Sequence, residues 1–333
     1  MKKIINKPED FVDEMIDGIL LAHPTMVKTP GADKRILVRA DAPVAGRVGI
    51  VTGGGSGHLP LFKGYVGRGL CSGVAIGNVF SSPSSQQVFE ATKAVDGGRG
   101  VLYLYGNYGG DVFNFDLAAD LAELEDIETR TVLGRDDVAS QPRERKADRR
   151  GVAGILFAYK AAGAAAERGD DLDQVAAVAE DVVEHTATMG IGLSPTILPT
   201  TGALSFDLPD GEMEIGIGIH GEPGIHRGAL EPADAIVDRL TDALVADLAI
   251  GEGDRVAVLV NGMGATPLEE LYVMYRRLHE VLSARGIRIE KSYVGEYATS
   301  LEMAGASISL LHLDDDRLAL LEAPAASPFY QEV

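Results

Sequence analysis

Cysteine is nearly absent: the 333-residue chain carries one, Cys71. A single thiol forms no internal disulfide and no multi-cysteine metal site, which fits a reducing compartment and argues against structural zinc. Basic residues are scarce as well. Thirty Lys and Arg face fifty Asp and Glu, a formal charge of −20. Such a chain repels phosphate backbones and anionic lipid heads, so neither nucleic acid nor a membrane is expected as a partner. The acids are scattered rather than gathered in a tail, the pattern of a solvated surface. No uninterrupted apolar stretch approaches the roughly 20 residues of a membrane span. The start, Met1-Lys-Lys-Ile-Ile-Asn-Lys-Pro-Glu-Asp10, lacks the apolar core and cleavage site of a secretory leader. A soluble, cytoplasmic protein is the expectation. Also missing are a G-x-x-x-x-G-K-[ST] phosphate loop and any evident carboxylate cluster for magnesium, so the chain is expected to hold no nucleotide, metal or other cofactor by itself.

What is present is an alternation of short apolar runs with helical patterns. A helix is expected over about 8 to 22, with Pro8 in its first turn and Phe11, Met15, Ile16, Ile19 and Leu20 on one stripe. Strands are expected at Val48 to Val51, Ser72 to Ile76, Val101 to Tyr105 and Thr129 to Leu133, with helices reaching Val95 and spanning about 112 to 123. This rhythm predicts a parallel sheet covered on both faces, with ligands at the carboxyl ends of its strands. The charged segment from Gln141 to Arg150 reads as an exposed loop before helices at 152 to 168 and about 171 to 188. Past Gly190 the style changes. Strands at Glu212 to Ile219, Arg255 to Val260, Ile287 to Val294 and Ile308 to Leu313 alternate with helices near 232 to 248 and 267 to 284. Two domains are therefore expected, 1–190 and 191–333.

Two glycine motifs are decoys. Gly216-Ile-Gly218-Ile-His-Gly221 matches G-x-G-x-x-G, but Pro223 and Gly224 follow where a dinucleotide fingerprint needs a helix to begin. Ser56 in Thr52-Gly-Gly-Gly-Ser-Gly-His58 suggests a nucleophile elbow, yet its closing glycine is His58. Three polar residues remain at expected strand ends. His58 closes a glycine loop, Asp111 closes Asn107-Tyr-Gly-Gly-Asp111, and His220 ends the run Met213-Glu-Ile-Gly-Ile-Gly-Ile-His220, whose glycines read as clearance for a small ligand. Each has a plainer explanation: a turn residue, a helix N-cap and a hydrogen-bonded core histidine. Together, two imidazoles and a carboxylate on glycine-cleared loops suit a polyhydroxy carbonyl compound, one imidazole attacking the carbonyl and the other groups moving protons.

At these residues the chain resembles the substrate-binding subunit of the dihydroxyacetone kinase family, over essentially its whole length. The resemblance is carried by Arg39-Ala-Asp-Ala-Pro43, Gly53-Gly-Gly-Ser-Gly-His58, Asn107-Tyr-Gly-Gly-Asp111 with Asn114-Phe115, Arg149-Arg-Gly151, Gly218-Ile-His-Gly-Glu-Pro-Gly224, Asn261-Gly-Met-Gly-Ala-Thr-Pro267 and Thr299-Ser-Leu-Glu-Met303. It implies a three-layer α/β/α domain with a parallel sheet, followed by a two-layer α/β domain with a mixed sheet, as a homodimer. It also implies that His220 bonds through a ring nitrogen to the ketone carbon as a hemiaminal, and that Gly55, Ser56, Gly57, His58 and Asp111 hold the hydroxyls. His58 and Asp111 then deprotonate or orient the hydroxyl that attacks phosphorus. The substrate implied is dihydroxyacetone (glycerone) or another short ketose such as erythrulose. Magnesium with ADP or ATP would sit on a separate helical kinase subunit, recharged by a phosphoenolpyruvate-dependent phosphocarrier subunit or using ATP directly. The alternative is a non-catalytic ketose-binding sensor or co-activator of a transcription regulator. Two positions depart from the family pattern: Gly106 stands where many members have Lys, and Asn78 where they have an acid.

Overall fold

The computed structural model describes residues 2–333. Its first sheet comprises β1 (Val27–Lys28), β2 (Ile36–Arg39), β3 (Gly49–Ser56), β4 (Gly73–Val79), β5 (Val101–Gly106) and β6 (Thr129–Gly134), in the order β1-β2-β4-β3-β5-β6. The strands β4, β3, β5 and β6 run parallel, while β2 and β1 form an antiparallel edge. Alternation along β5 shows why both faces are covered: Leu102 and Leu104 enter one core cluster, Tyr103 and Tyr105 the other. The helices α2 (Ser85–Val95) and α3 (Gly109–Glu123) cover the tyrosine face, and α1 (Phe11–Ala22), α4 (Ile155–Arg168) and α5 (Leu172–Glu184) supply the other layer. The chain leaves β3 toward β4 on one side and leaves β5 toward β6 on the other. That reversal opens a crevice at the carboxyl ends of β3 and β5, where His58 and Asp111 follow.

The second sheet holds β7 (Thr186–Ser194), β8 (Glu212–Ile215), β9 (His226–Ala229), β10 (Arg255–Gly262), β11 (Arg288–Gly295) and β12 (Ala304–Leu313), in the order β11-β10-β12-β7-β8-β9. Only β10 and β11 pair in parallel, so the sheet is mixed. Val256, Val258 and Val260 point into a core shared with α6 (Ala233–Leu248) and α7 (Leu268–Ala284), while Ala257 and Leu259 join the core of the first unit. Between the sheets lies α4, buried on every side from Ile155 to Ala166, which explains its run of alanines. A Cβ on Gly163 would sit 2.3 Å from the Gly69 backbone, so the helix tolerates no larger residue there. The end of the chain, α8 (Asp315–Glu322) with the hairpin β13 (Ala325–Ser327) and β14 (Tyr330–Glu332), returns to pack on α4.

Several expected boundaries move, each for a local reason. Residue 190 lies inside β7: the second sheet begins at Thr186, and α5 stops at Glu184 rather than 188. The strand expected to stop at Val51 continues through the glycines to Ser56, because close neighbours leave no room for side chains; a Cβ at Gly54 would fall 2.2 Å from the Phe62 ring. The strand expected to carry His220 ends at Ile215, where Gly216 takes φ +80°. Pro8 precedes α1 rather than entering its first turn. Among the described residues no helix is long and apolar enough to cross a membrane.

The expected loop from 141 to 150 contains a 3-10 segment, Arg143–Asp148, followed by Arg149, which is 1% exposed. The guanidinium pairs through two hydrogen bonds, 2.8 and 2.6 Å, with Asp247 of α6. Removing the carboxylate strands a buried charge, so Asp247→Ala is expected to cost about 3–5 kcal/mol, read as a lowered urea midpoint.

Candidate active site

The first imidazole is fixed from two sides. After β3, Gly57 takes φ +107° and turns the chain so that His58 faces inward with no exposed surface. Its Nδ1 lies 2.8 Å from the Thr299 carbonyl oxygen, in the segment before β12. A carbonyl only accepts, so Nδ1 carries the hydrogen and Nε2 is a bare lone pair. That Nε2 is buried without a partner. Burial first, and then the nearby His220, hold the imidazole well below the ordinary histidine range and therefore neutral.

His220 sits on a tight turn past β8, closed by the Gly221 N–H donating to the Gly218 carbonyl at 3.0 Å. Glu222 reaches back to it with both oxygens: Oε2 accepts from the His220 backbone N–H at 2.9 Å, and Oε1 lies 2.8 Å from ring Nδ1. Burial would raise this carboxyl, but the hydrogen bond and proximity of His220, together with Arg150 at 3.9 Å, hold it down to about 2. An ionised carboxylate on Nδ1 fixes the hydrogen there and leaves Nε2 as the nucleophilic nitrogen. Arg150 is itself anchored on Asp137 at 2.9 Å. Gly218 makes the arrangement possible, because a Cβ there would lie 2.1 Å from Glu222 Oε2.

Asp111 is the third residue of α3, not its N-cap, which is Tyr108. The residue is 8% exposed, and its Oδ1 is buried without a partner. Burial pushes it up to about 6, against a hydrogen bond with Ser82 and the proximity of His220. The rings of His58, Tyr108 and Phe80 stand edge-on around His220 at 4.8, 4.9 and 5.2 Å. The Tyr108 hydroxyl is a third buried atom without a partner at this place.

The structure thus brings His58, His220 and Asp111 together, and it qualifies the glycine loop. Ser56 donates its hydroxyl to the Gly77 carbonyl at 2.9 Å, so its side chain is committed to the sheet. Cβ atoms at Gly55 and Gly57 would lie 2.7 Å from Ser81 N and from the Phe80 ring. The glycines make room for that neighbouring loop, and these three residues offer a ligand backbone groups only. At the two departures, a Cβ on Gly106 would come within 3.2 Å of the Tyr108 ring, and Asn78 accepts from Arg35 at 3.0 Å. Sequence reasoning missed Glu222, Tyr108 and Phe80 as members of the site. Glu222 alone left a signal, an acid two residues past a histidine in a glycine-flanked turn. Among the described residues no group of three or more His, Cys, Asp or Glu is placed to hold a metal ion.

A family model described as the Dak1 domain matches residues 17–329. The chain belongs to the Dak1 domain family. A relative from Listeria innocua, the dihydroxyacetone-binding subunit DhaK of PTS-dependent dihydroxyacetone kinase 2, is 44% identical over 99% of both chains. An L-erythrulose 1-kinase from Mycolicibacterium smegmatis is 40% identical over 99% of this chain and 58% of its own. Among solved structures, the dihydroxyacetone kinase from C. freundii in complex with AMP-PNP and Mg2+ superposes with a TM-score of 0.91 at 31% identity, covering 99% of this chain and 61% of that one. A dihydroxyacetone kinase operon co-activator gives 0.88 at 30% identity, covering 98% and 99%. The three-layer and two-layer α/β arrangement described above is accordingly that of the Dak1 fold.

Proposed function

We propose that this chain is the substrate-binding subunit of a dihydroxyacetone kinase: it captures a short ketose on His220 and presents a terminal hydroxyl for phosphorylation by a nucleotide-bearing partner subunit. The observation that carries the reading is the pair of buried, unpartnered acceptors, His58 Nε2 and Asp111 Oδ1, beside an imidazole whose Nδ1 is held by an ionised carboxylate. Unpaired buried polar atoms are costly, and a polyhydroxy ligand satisfies them.

His220 Nε2 attacks the ketone carbon. A C–N bond forms, the carbonyl π pair moves to oxygen, and Glu222 stabilises the transient imidazolium. Net transfer of one proton from the ring to the new alkoxide leaves a neutral hemiaminal. Glycerol, with no carbonyl, is rejected at this step. The terminal hydroxyl then gives its proton to His58 Nε2 or Asp111 as its oxygen bonds to phosphorus and the bond to the leaving phosphate breaks. Magnesium and ADP or ATP belong, on this reading, to the partner, with a phosphocarrier subunit recharging it or ATP serving directly. Exposed Phe113 and Leu117, on α3 just past Asp111, provide an apolar rim for that partner. Dihydroxyacetone is the first substrate to try and erythrulose the second, in a cytoplasmic homodimer.

Mixing the purified chain with a cognate nucleotide-bearing subunit and ketose is expected to yield sugar phosphate. Ketose binding without turnover, together with a complex with a DNA-binding regulator, would instead support the co-activator reading. Because Asp111 serves the reaction ionised and its carboxyl is pushed up to about 6, the rate is expected to fall as pH drops through that value. Asp111→Asn removes this acid limb along with most of the rate, and a pH–rate series on both proteins checks it.

A further inference from the structure

Backbone strain gathers on one corner of this site. The two bulky residues with left-handed backbone among the described residues, Phe80 at φ +54° and Leu301 at φ +51°, both converge on Gly57. A Cβ on Gly57 would lie 2.7 Å from the Phe80 ring and 3.4 Å from the Leu301 side chain. Phe80 is the third residue of a turn closed by Ser81 N–H donating to the Asn78 carbonyl at 3.0 Å. Glycine or asparagine suits that position, and phenylalanine does not. The turn is tied to the end of β3 by the Phe80 N–H, which donates to the Ser56 carbonyl at 3.0 Å. The strained backbone delivers the ring flat onto His58, centroids 5.0 Å apart and planes 15° apart, while Phe62 meets the same imidazole edge-on at 6.4 Å. Strain of this kind persists where something else requires it.

We propose that Phe80 is a positioning residue whose ring, forced onto the face of His58, keeps water from that imidazole and holds it neutral in one tautomer with Nε2 bare. The inference rests on the reading of His58 as the base for the ketose hydroxyl. The four charged and polar groups around His58 come from three segments. His220 and Glu222 face it from the turn after β8, Lys63 from the segment between β3 and β4, and the Thr299 carbonyl from before β12. His220 and Lys63 oppose its protonation, the carbonyl and Glu222 favour it, and exclusion of water outweighs each of them. Removing the ring removes part of that exclusion while leaving the four groups in place.

The test is a nitrogen-15 NMR titration of the histidine rings in the full chain, without ketose or partner, so that its failure is separate from failure of the ketose reading. The His58 signals are assigned by their loss in His58→Asn. In the unsubstituted chain His58 is expected to remain neutral with hydrogen on Nδ1 well below the pH at which an ordinary histidine titrates. In Phe80→Gly, whose backbone fits the turn, His58 is expected to titrate at a higher pH, shifted toward the ordinary histidine range, with its tautomers mixed. Phe80→Leu, which keeps an apolar cover on less of the ring face, is expected to fall between. An unchanged His58 titration in both variants would overturn the proposal and reduce Phe80 to packing. Should Phe80→Gly fail to fold, the leucine variant decides: a raised His58 midpoint supports the proposal and an unchanged one overturns it.

Discussion

Glu222→Gln is expected to slow ketose capture by about 10³- to 10⁴-fold with the fold intact, the scale of rate loss seen when a carboxylate that fixes a catalytic imidazole is made an amide. The carboxylate now accepts two hydrogen bonds, one from the His220 backbone N–H and one from ring Nδ1–H. Glutamine has one oxygen for these two donors. If the oxygen meets the backbone, the amide NH2 faces the ring, Nδ1 must accept, and the hydrogen moves to Nε2. The nitrogen that should attack the ketone is then blocked. If the oxygen meets the ring instead, the turn at residue 220 loses its anchor. Rate constants of ketose capture by rapid mixing, with tautomer populations from nitrogen-15 shifts, check the result. A glutamine variant that captures ketose as well as the original chain would remove Glu222 from the mechanism.

His58→Asn is expected to separate the two stages. Covalent capture depends on His220 and Glu222, so loss of the Nε2 hydrogen bond should weaken binding only by about tenfold, whereas phosphoryl transfer should fall by about 10²- to 10⁴-fold, the usual worth of a positioned general base. Asparagine fills part of the space and can donate to the Thr299 carbonyl as Nδ1 does. It has no basic lone pair to replace Nε2. Single-turnover measurement with the loaded partner subunit, beside ketose titration, distinguishes the stages. Equal loss of both would mean that His58 holds the ligand rather than taking its proton.

Much of the fold was legible because burial on two faces leaves a pattern. The alternation of apolar runs and helical stripes located β5, β6, α6 and α7 within a few residues. β7 was hidden since Thr186-Ala-Thr-Met-Gly190 continues the apolar spacing of α5 and carries no turn residue between them. The role of α4 as a wall shared by both sheets was also hidden: its alanines indicate close packing but not against what. His58, Asp111 and His220 were visible as polar residues in glycine surroundings, though the strand expected to carry His220 breaks four residues earlier, at Gly216. Gly55 and Gly57 also make room for the Phe80–Ser81 loop, which comes from elsewhere in the sequence and so leaves no local signal. Nothing in Asn78-Val-Phe-Ser81 announces a positive φ, so Phe80 could be found only in three dimensions.

Covalent capture is the claim on which the rest depends. Carbon-13 NMR of dihydroxyacetone labelled at its carbonyl, mixed with this chain and with His220→Ala, tests it directly. A protein-bound tetrahedral carbon signal is expected with the unsubstituted chain and is absent with the alanine variant. If the label stays as free ketone and hydrate with both proteins, and carbonyl-labelled erythrulose behaves the same way, His220 does not form a hemiaminal with a short ketose and the proposed function fails.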